Sequence, residues 1–318
     1  MAGSTFGKNF SITSWVETGG NGIGVVIDGV PAGLALGEND IQAYMNRRRP
    51  TAACLFTRRH ENDFVTVNSG LEDGVTNGTP MAMTIINSAI KYKSARRVTD
   101  RDNASRTAAG AVATAILGKL GITFCSYVRS IGPVSIKYGN CSLDDLKNSP
   151  VNMPDAEASE KAVEYLKEIA AEKKTAGGVI EIIITGVPAG IGQPFFDKLD
   201  ARLAAAVMSI DRAKGVEFGD GFSATDSERS GGITAGLSDS SEIVLRVSFA
   251  PTPLASSVLS AVDCEGNDKE IEVADGAEIT TVPRTVVVAE SMAAAALLDL
   301  LFENMHSKLD DIAGFYGK

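Results

Sequence analysis

Hydrophobic positions along the chain fall into short β-branched runs and longer alanine-rich stretches. Residues 23–30 (IGVVIDGV) and 179–187 (VIEIIITGV) are short, rich in Val and Ile, and bounded by turn residues. This pattern predicts strands. Shorter β-branched runs predict further strands at residues 244–249, 271–273 and 285–288.

Helices are predicted where apolar residues recur over longer stretches. Residues 105–120 are rich in alanine, and small side chains on all faces indicate a helix that is buried on every side. Residues 155–174 are charged and amphipathic, which predicts an outer helix facing solvent. The remaining predicted helices cover residues 41–49, 197–213 and 290–304.

One pentapeptide, GVPAG, occurs twice, at residues 29–33 and 186–190, each time directly after a predicted strand. The matching context indicates a duplicated strand–helix unit. A structural turn explains both copies, since glycine accepts backbone conformations that other residues resist. Because strands here often follow strands, an α+β fold with antiparallel sheets is favoured over a doubly wound parallel sheet.

Composition narrows the class of protein. The chain has 318 residues, 44% of them hydrophobic, and 30 Lys+Arg against 40 Asp+Glu, which gives a net charge of −10. Such a chain can bury a core, and its acidity argues against a nucleic-acid partner.

The N-terminus lacks a cationic stretch followed by an apolar run, so neither export nor membrane insertion is expected and a cytoplasmic location is predicted. Four scattered cysteines and two histidines predict reduced thiols and no metal site.

Arginine is unevenly distributed in this acidic chain, in two clusters. Guanidinium groups match the geometry of carboxylates and phosphates, so the clusters predict a pocket for a small anion. Anion binding is predicted for Arg49, Arg101 and Arg106, whereas surface ion pairing suffices for Arg58, Arg59, Arg96 and Arg97. The clusters comprise residues 47–49, 58 and 59, and residues 96, 97, 101 and 106.

Seven segments, in this order, resemble those of chorismate synthases: DGVPAGLAL, YMNRRRP, SGLEDGVTNGTPMAM, RTAAGAVATAILGKLGI, the block at residues 177–222, SGGITAGLSDSSEIVLRVSFAPTP and VPRTVVVAESMAAAALLDLL. They span nearly the whole chain. The resemblance implies one domain, residues 1–318, built from two pseudo-repeated halves. Its implied fold is a sandwich of two antiparallel sheets enclosing central helices, and its implied assembly is a homotetramer.

The resemblance also implies a reaction, the elimination of phosphate from 5-enolpyruvylshikimate 3-phosphate with the help of reduced FMN. The small anionic substrate would be held by arginines and one hydroxyl. By position in the matching motifs, these substrate-binding residues are Arg48, Arg49, Arg101, Arg106 and Thr18.

Other roles follow from the same matching. Lys214 and Arg212 stand where residues near the cofactor are expected. The candidates for proton transfer are Glu17, Glu278 and Asp211, of which Glu278 stands where the family has Asp.

The departures from the family pattern fall on the catalytic and flavin-binding positions. Gly19 stands where the family has a histidine, and Ala250 where it has a lysine that contacts flavin. A second family histidine belongs to an Arg-Pro-Gly-His-Ala-Asp segment that is missing between residues 90 and 101.

Two hypotheses therefore stand. The first is an enzyme that eliminates phosphate from 5-enolpyruvylshikimate 3-phosphate or a related anionic phosphoester. The second is a divergent paralogue that has lost FMN-dependent chemistry and binds a small anionic ligand, or catalyses a flavin-independent reaction.

Overall fold

Two five-stranded antiparallel sheets enclose a layer of helices. The computed structural model describes residues 3–16, 22–49, 62–86, 96–225, 230–252, 258–262, 266–272 and 278–317. The predicted α+β class, with antiparallel sheets around central helices, is confirmed.

The first sheet and a small hairpin come from seven strands: β1 Thr5–Phe6, β2 Ser11–Val16, β3 Gly22–Asp28, β4 Val65–Val67, β5 Leu71–Glu72, β6 Val75–Thr76 and β7 Met81–Ile86. The sheet order is β1-β2-β3-β7-β4, with β5 and β6 paired separately. Ile23, Val25 and Ile27 alternate along β3 and are fully buried, as expected for a strand with one face on the core.

Nine strands follow: β8 Thr123–Ile131, β9 Val134–Ser135, β10 Gly178–Thr185, β11 Ala213–Phe218, β12 Ile233–Thr234, β13 Leu237–Ser238, β14 Ile243–Phe249, β15 Val258–Val262 and β16 Asp268–Glu272. The second sheet has the order β11-β14-β10-β8-β9. Read from the other edge, β10, β14 and β11 follow the connection order of β3, β7 and β4, whereas β9 follows β8 in the chain and β1 precedes β2. Strands β12 and β13 form a hairpin in the place of β5 and β6.

The described helices are α1 Glu38–Asn46, α2 Arg96–Lys119, α3 Leu143–Asn148, α4 Ala156–Ala171, α5 Leu199–Met208, α6 Val282–Asn304 and α7 Leu309–Phe315. Helix α2 packs on the first sheet, α6 packs on the second, and the two helices pack on each other. A Cβ added at Gly110 would lie 2.2 Å from the Cβ of Ser291, so the small residues predicted to allow close packing do so.

One predicted element is wrong. Residues 285–288 were expected to form a strand and instead belong to the second turn of α6, which begins at Val282 with Pro283 in its first turn. Proline suits the first turn of a helix, where its missing N–H would have no partner. Burial between α2 and the second sheet outweighs the strand preference of this β-branched run.

Helix α6 is long and apolar enough to cross a membrane, but 89% of its most apolar window is buried inside the protein. It is the central helix of the core.

The amphipathic helix predicted at residues 155–174 is α4. It begins after Asp155, and the carboxylate of Asp155 accepts a hydrogen bond from the Ala158 N–H.

Candidate functional site

The three consecutive arginines that follow α1 point to three different places. Arg47 donates two hydrogen bonds, of 2.6 and 2.9 Å, to the buried carboxylate of Glu290 on α6. Burial lowers the pKa of Arg47, but the bonds to Glu290 outweigh this effect and leave the pKa raised. Arg49 donates to the carbonyl of Asn62, and its guanidinium lies 5.5 Å from the centre of the Phe64 ring. Arg47 and Arg49 therefore serve structural contacts.

Arg48 is the arginine of this run that faces a cavity. The cavity lies where the C-terminal ends of α1 and α5 and the N-terminal end of α6 meet the side of α2. It is lined by Arg48, Asn103, Asp211, Arg212, Glu278, Thr281, Arg284, Thr285 and Val288. Its volume is about 20 Å³, which is room for a single water molecule. We call it the arginine cavity.

Three guanidinium groups and two carboxylates line the arginine cavity. Arg284 is ion-paired with Glu278, and the two side chains are only 11% and 4% exposed. Arg48 is ion-paired with Asp63, with both side chains 4% exposed. Buried guanidinium groups held in this way are pre-oriented, and they interact strongly with an anion because little water screens them.

Helix ends bring these groups together. Arg48 follows α1, and Arg212 follows α5 with a left-handed backbone conformation (φ 69°) and donates to the carbonyl of Pro251. Thr281, Arg284 and Thr285 form the N-terminal turn of α6, whose dipole adds positive potential on the same side. Each of the three guanidinium groups has a carboxylate partner, Asp63, Asp211 or Glu278, so an anion that enters must compete with these carboxylates.

A second, larger cavity of about 650 Å³ adjoins the first and shares Asn103 and Asp211 with it. Arg106 lines this cavity and donates to Asp102 at 2.7 Å and to the Ser209 hydroxyl at 2.6 Å. We call it the Trp15 cavity, since Trp15 forms one of its walls.

The predicted site residues divide between these places. Arg48, Arg212, Asp211 and Glu278 meet at the arginine cavity, and Arg106 lies in the Trp15 cavity. Glu17 and Thr18 lie outside the described residues. Arg101 belongs to α2, and its side chain is outside the part of the chain that the structure describes.

Two predicted residues have other positions. Lys214 is exposed on β11 and lines neither cavity, and Arg49 makes the contacts given above. Sequence reasoning missed Arg284, although it lies in the VPRTVVVAES segment that carried part of the resemblance. Its signal is a single arginine in the first turn of an otherwise apolar helix.

The donor set does not fit the phosphate of FMN. The arginine cavity has room for one water molecule, whereas the adjoining Trp15 cavity is within the size range of small-molecule sites. Its described ionisable groups are one arginine, Arg106, and two carboxylates, Asp102 and Asp211. Arg106 is already paired with Asp102, so the described lining of this cavity offers a phosphate no guanidinium group without a carboxylate partner.

A search against family models matches the chorismate synthase model at residues 10–100 and 88–302. The chain belongs to the chorismate synthase family. It is 40% identical to the chorismate synthase of Lachnoclostridium phytofermentans over 367 aligned positions, with full coverage of both chains. It is 39% identical to that of Agathobacter rectalis over 366 positions, again with full coverage.

The fold agrees with the family. A solved structure titled "Crystal Structure of Chorismate Synthase" superimposes with a TM-score of 0.78 at 25% identity, covering 98% of this chain and 97% of the other. The first alignment has 367 positions against 318 residues here, so 367 − 318 = 49 positions have no residue in this chain. The two matched parts of the family model overlap at residues 88–100, where the sequence indicates a missing segment.

Proposed function

We propose that this protein is a carbon–oxygen lyase that eliminates phosphate from 5-enolpyruvylshikimate 3-phosphate or a closely related anionic phosphoester. The observation that supports this proposal best is the meeting of Arg48, Arg212 and Arg284 with Asp211 and Glu278 at one cavity. Elimination of phosphate needs positive charge for the leaving group and a base for the proton. The cavity contains both.

Arg212 and Arg284 are the groups best placed to bind the substrate. Their side chains are 16% and 11% exposed, so an anion reaching them displaces little water and is weakly screened. Arg48 is held by its ion pair with Asp63, so it would act on the substrate through its positive charge and not by moving to contact it. Because the cavity is small, substrate entry requires the Arg284–Glu278 pair to open and Arg284 to turn toward the ligand.

Opening of that pair releases the carboxylate of Glu278 next to the bound anion. A carboxylate so placed accepts the proton from carbon, the carbon–oxygen bond to phosphate breaks with its electron pair, and a carbon–carbon double bond forms. Asp211 is the second candidate to accept this proton. Its side chain is 36% exposed, so it would pass the proton on to solvent. Since the described residues do not fit the flavin phosphate, no step is assigned to flavin.

The direct test is release of inorganic phosphate from 5-enolpyruvylshikimate 3-phosphate, measured with and without reduced FMN. We expect release, and we expect Arg284→Gln to lower kcat/KM by about 10- to 100-fold, the cost of one charge-assisted hydrogen bond to the anion. Arg129→Gln is the matched control, since Arg129 lies on the second sheet and pairs with Tyr138 and Glu181 outside both cavities. Absence of phosphate release under both conditions would refute the lyase.

A second candidate function is supported by the misfit of the flavin phosphate. In this alternative the protein binds the same class of anion and performs no elimination. Calorimetric binding of 5-enolpyruvylshikimate 3-phosphate that is weakened by Arg284→Gln, without phosphate release, would select this function. We further propose a cytoplasmic homotetramer, as the family resemblance implies, which analytical ultracentrifugation would test.

A further inference from the structure

Asn103 of α2 lies at the border between the arginine cavity and the Trp15 cavity. Of the described residues, it shares this position with Asp211 alone, since these two line both cavities. The arginine cavity has room for one water molecule, so most of a phosphoester whose charged end reaches it must lie in the larger cavity of about 650 Å³. A ligand that spans the two cavities therefore runs past the side chain of Asn103.

The two residues at this border differ in the hydrogen bonds they can make. The carboxylate of Asp211 accepts hydrogen bonds only, and it lies 4.0 Å from the guanidinium of Arg212. The carboxamide of Asn103 is neutral and carries two N–H donors. Beside a ligand that is anionic and rich in oxygen atoms, the carboxamide is thus the attractive member of the pair.

The carboxamide of Asn103 makes no hydrogen bond within the described part of the chain, although its backbone carbonyl accepts one of 2.7 Å from the Thr107 hydroxyl. The guanidinium groups that line the two cavities are, by contrast, held by carboxylates. Asn103 can therefore bind a ligand without first breaking a contact inside the protein.

The position of Asn103 is fixed by a buried helix. Its neighbours Ala104, Ser105 and Thr107 are fully buried, whereas Asn103 itself is half-buried. Asparagine forms helices less well than alanine, because its side chain competes for backbone hydrogen bonds. An asparagine inside a helix, with no partner for its carboxamide among the described residues, lowers stability without a structural return, which is typical of a residue kept for function.

We propose that Asn103 is a substrate-binding residue. Its carboxamide donates a hydrogen bond to an oxygen atom of the phosphoester outside the phosphate group, such as a ring hydroxyl or an ether oxygen. This inference rests on the proposed function, since it takes a phosphoester bound at the arginine cavity as the ligand. Because the contacted oxygen does not react, the hydrogen bond stabilises the bound substrate and the transition state equally.

The test is calorimetric binding of 5-enolpyruvylshikimate 3-phosphate to the full chain and its variants. Asn103→Ala should weaken binding about tenfold, the loss of one hydrogen bond to an oxygen of an anion, and should raise KM by the same factor while kcat stays within about twofold. Asn103→Asp should weaken binding by about tenfold more than Asn103→Ala, because its carboxylate faces the ligand oxygen without a donor.

The melting temperature separates this role from a structural one, since Asn103→Ala should melt at the same temperature as the wild type or higher. Three results would overturn the proposal. They are unchanged affinity in Asn103→Ala, wild-type affinity in Asn103→Asp, and a fall in kcat with KM unchanged.

A double variant shows whether Asn103 contacts the substrate directly. Asn103→Ala and Arg284→Gln remove contacts to different parts of the ligand, so their losses of affinity should multiply when combined. A double variant that binds as tightly as Arg284→Gln alone would show that Asn103 acts through Arg284, which contradicts the proposal.

Binding and turnover separate this inference from the proposed function. Affinity that depends on Asn103 without release of phosphate would support the contact and refute the lyase. Release of phosphate with the same affinity and KM in Asn103→Ala would support the lyase and refute the contact. Absence of any binding by the wild type would refute the contact as well.

Discussion

The two GVPAG turns of the molecule are built alike atom by atom. After the first, the Thr76 hydroxyl donates to the carbonyl of Pro31 at 2.6 Å and accepts from the Leu34 N–H at 2.9 Å. After the second, the Ser238 hydroxyl donates to the carbonyl of Pro188 and accepts from the Ile191 N–H, at 2.5 and 2.9 Å. In both, a hydroxyl on the last strand of a hairpin closes the loop.

The two segments differ at the ends of the helices that follow these turns. Helix α1 is followed by Arg47, Arg48 and Arg49, whereas α5 is followed within four residues by Asp211 and Arg212. Both helix ends reach the arginine cavity. The comparison teaches that the two turns are stabilised by the same hydrogen bonds, while the chemical groups differ at the ends of the helices that follow them.

The largest expected effect is a difference in stability between variants at the ends of α1 and α5. Arg48→Met should lower the free energy of unfolding by about 3–5 kcal/mol, because it takes from the buried Asp63 carboxylate its paired guanidinium. Arg212→Met should cost about 1 kcal/mol, because the neighbouring Asp211 is solvated. Urea denaturation of both variants measures the difference. Equal losses of unfolding free energy would contradict this prediction, since they would show that Arg48 and Arg212 contribute equally to stability.

A smaller and equal effect is expected at the two turns. Thr76→Val and Ser238→Ala each remove a buried hydroxyl that serves one carbonyl and one amide, so each should cost about 1–3 kcal/mol. The two losses should agree within about 0.5 kcal/mol in urea denaturation. A loss confined to one variant would break the structural equivalence of the turns.

The smallest expected effect is a pH dependence present in one turn only. The residues after the two hydroxyls are Asn77 and Asp239, whose side chains accept hydrogen bonds from Thr79 and Ser241. The Ser241 hydroxyl and N–H, with Thr234 and Ser230, lower the pKa of Asp239 from 3.8 to about 2. A depressed carboxyl pKa stabilises the fold above pH 3.8 and loses this effect as the pH falls through about 2.

Melting temperatures of the wild type and Asp239→Asn should therefore differ at pH 7, with the wild type more stable, and converge near pH 2. The reciprocal variant, Asn77→Asp, should gain a pH dependence of the same sign, since it places a carboxylate against the Thr79 donors. A difference between wild type and Asp239→Asn that persists at pH 2 would contradict this origin.

Much of the fold was predictable from the sequence because it depends on local patterns. The short β-branched runs of β3 and β10, the alanine-rich composition of α2 and the GVPAG turns all predict the element that forms there. The error at residues 285–288 arose because a Val-rich run satisfies the pattern of a strand, and only its burial against α2 and the second sheet makes it helical.

The candidate site was predictable in residue type and less so in arrangement. The arginine clusters predicted an anion site, and four residues that the family resemblance assigned to the site, Arg48, Arg212, Asp211 and Glu278, line one cavity. The division of residues 47–49 among three partners was not predictable from the sequence. It depends on Glu290, which is 243 residues from Arg47, and on Asp63, which is 15 residues from Arg48.

By itself, the amino-acid sequence determined the family, the fold class and the kind of charge that gathers at the site. These properties depend on periodicity, on turn chemistry and on ordered motifs, which are all local along the chain. Tertiary structure alone decided that Arg284 joins the site, that Lys214 does not, and that Asn103 borders both cavities. Each of these depends on which distant surfaces pack together, and on how much water the packing leaves.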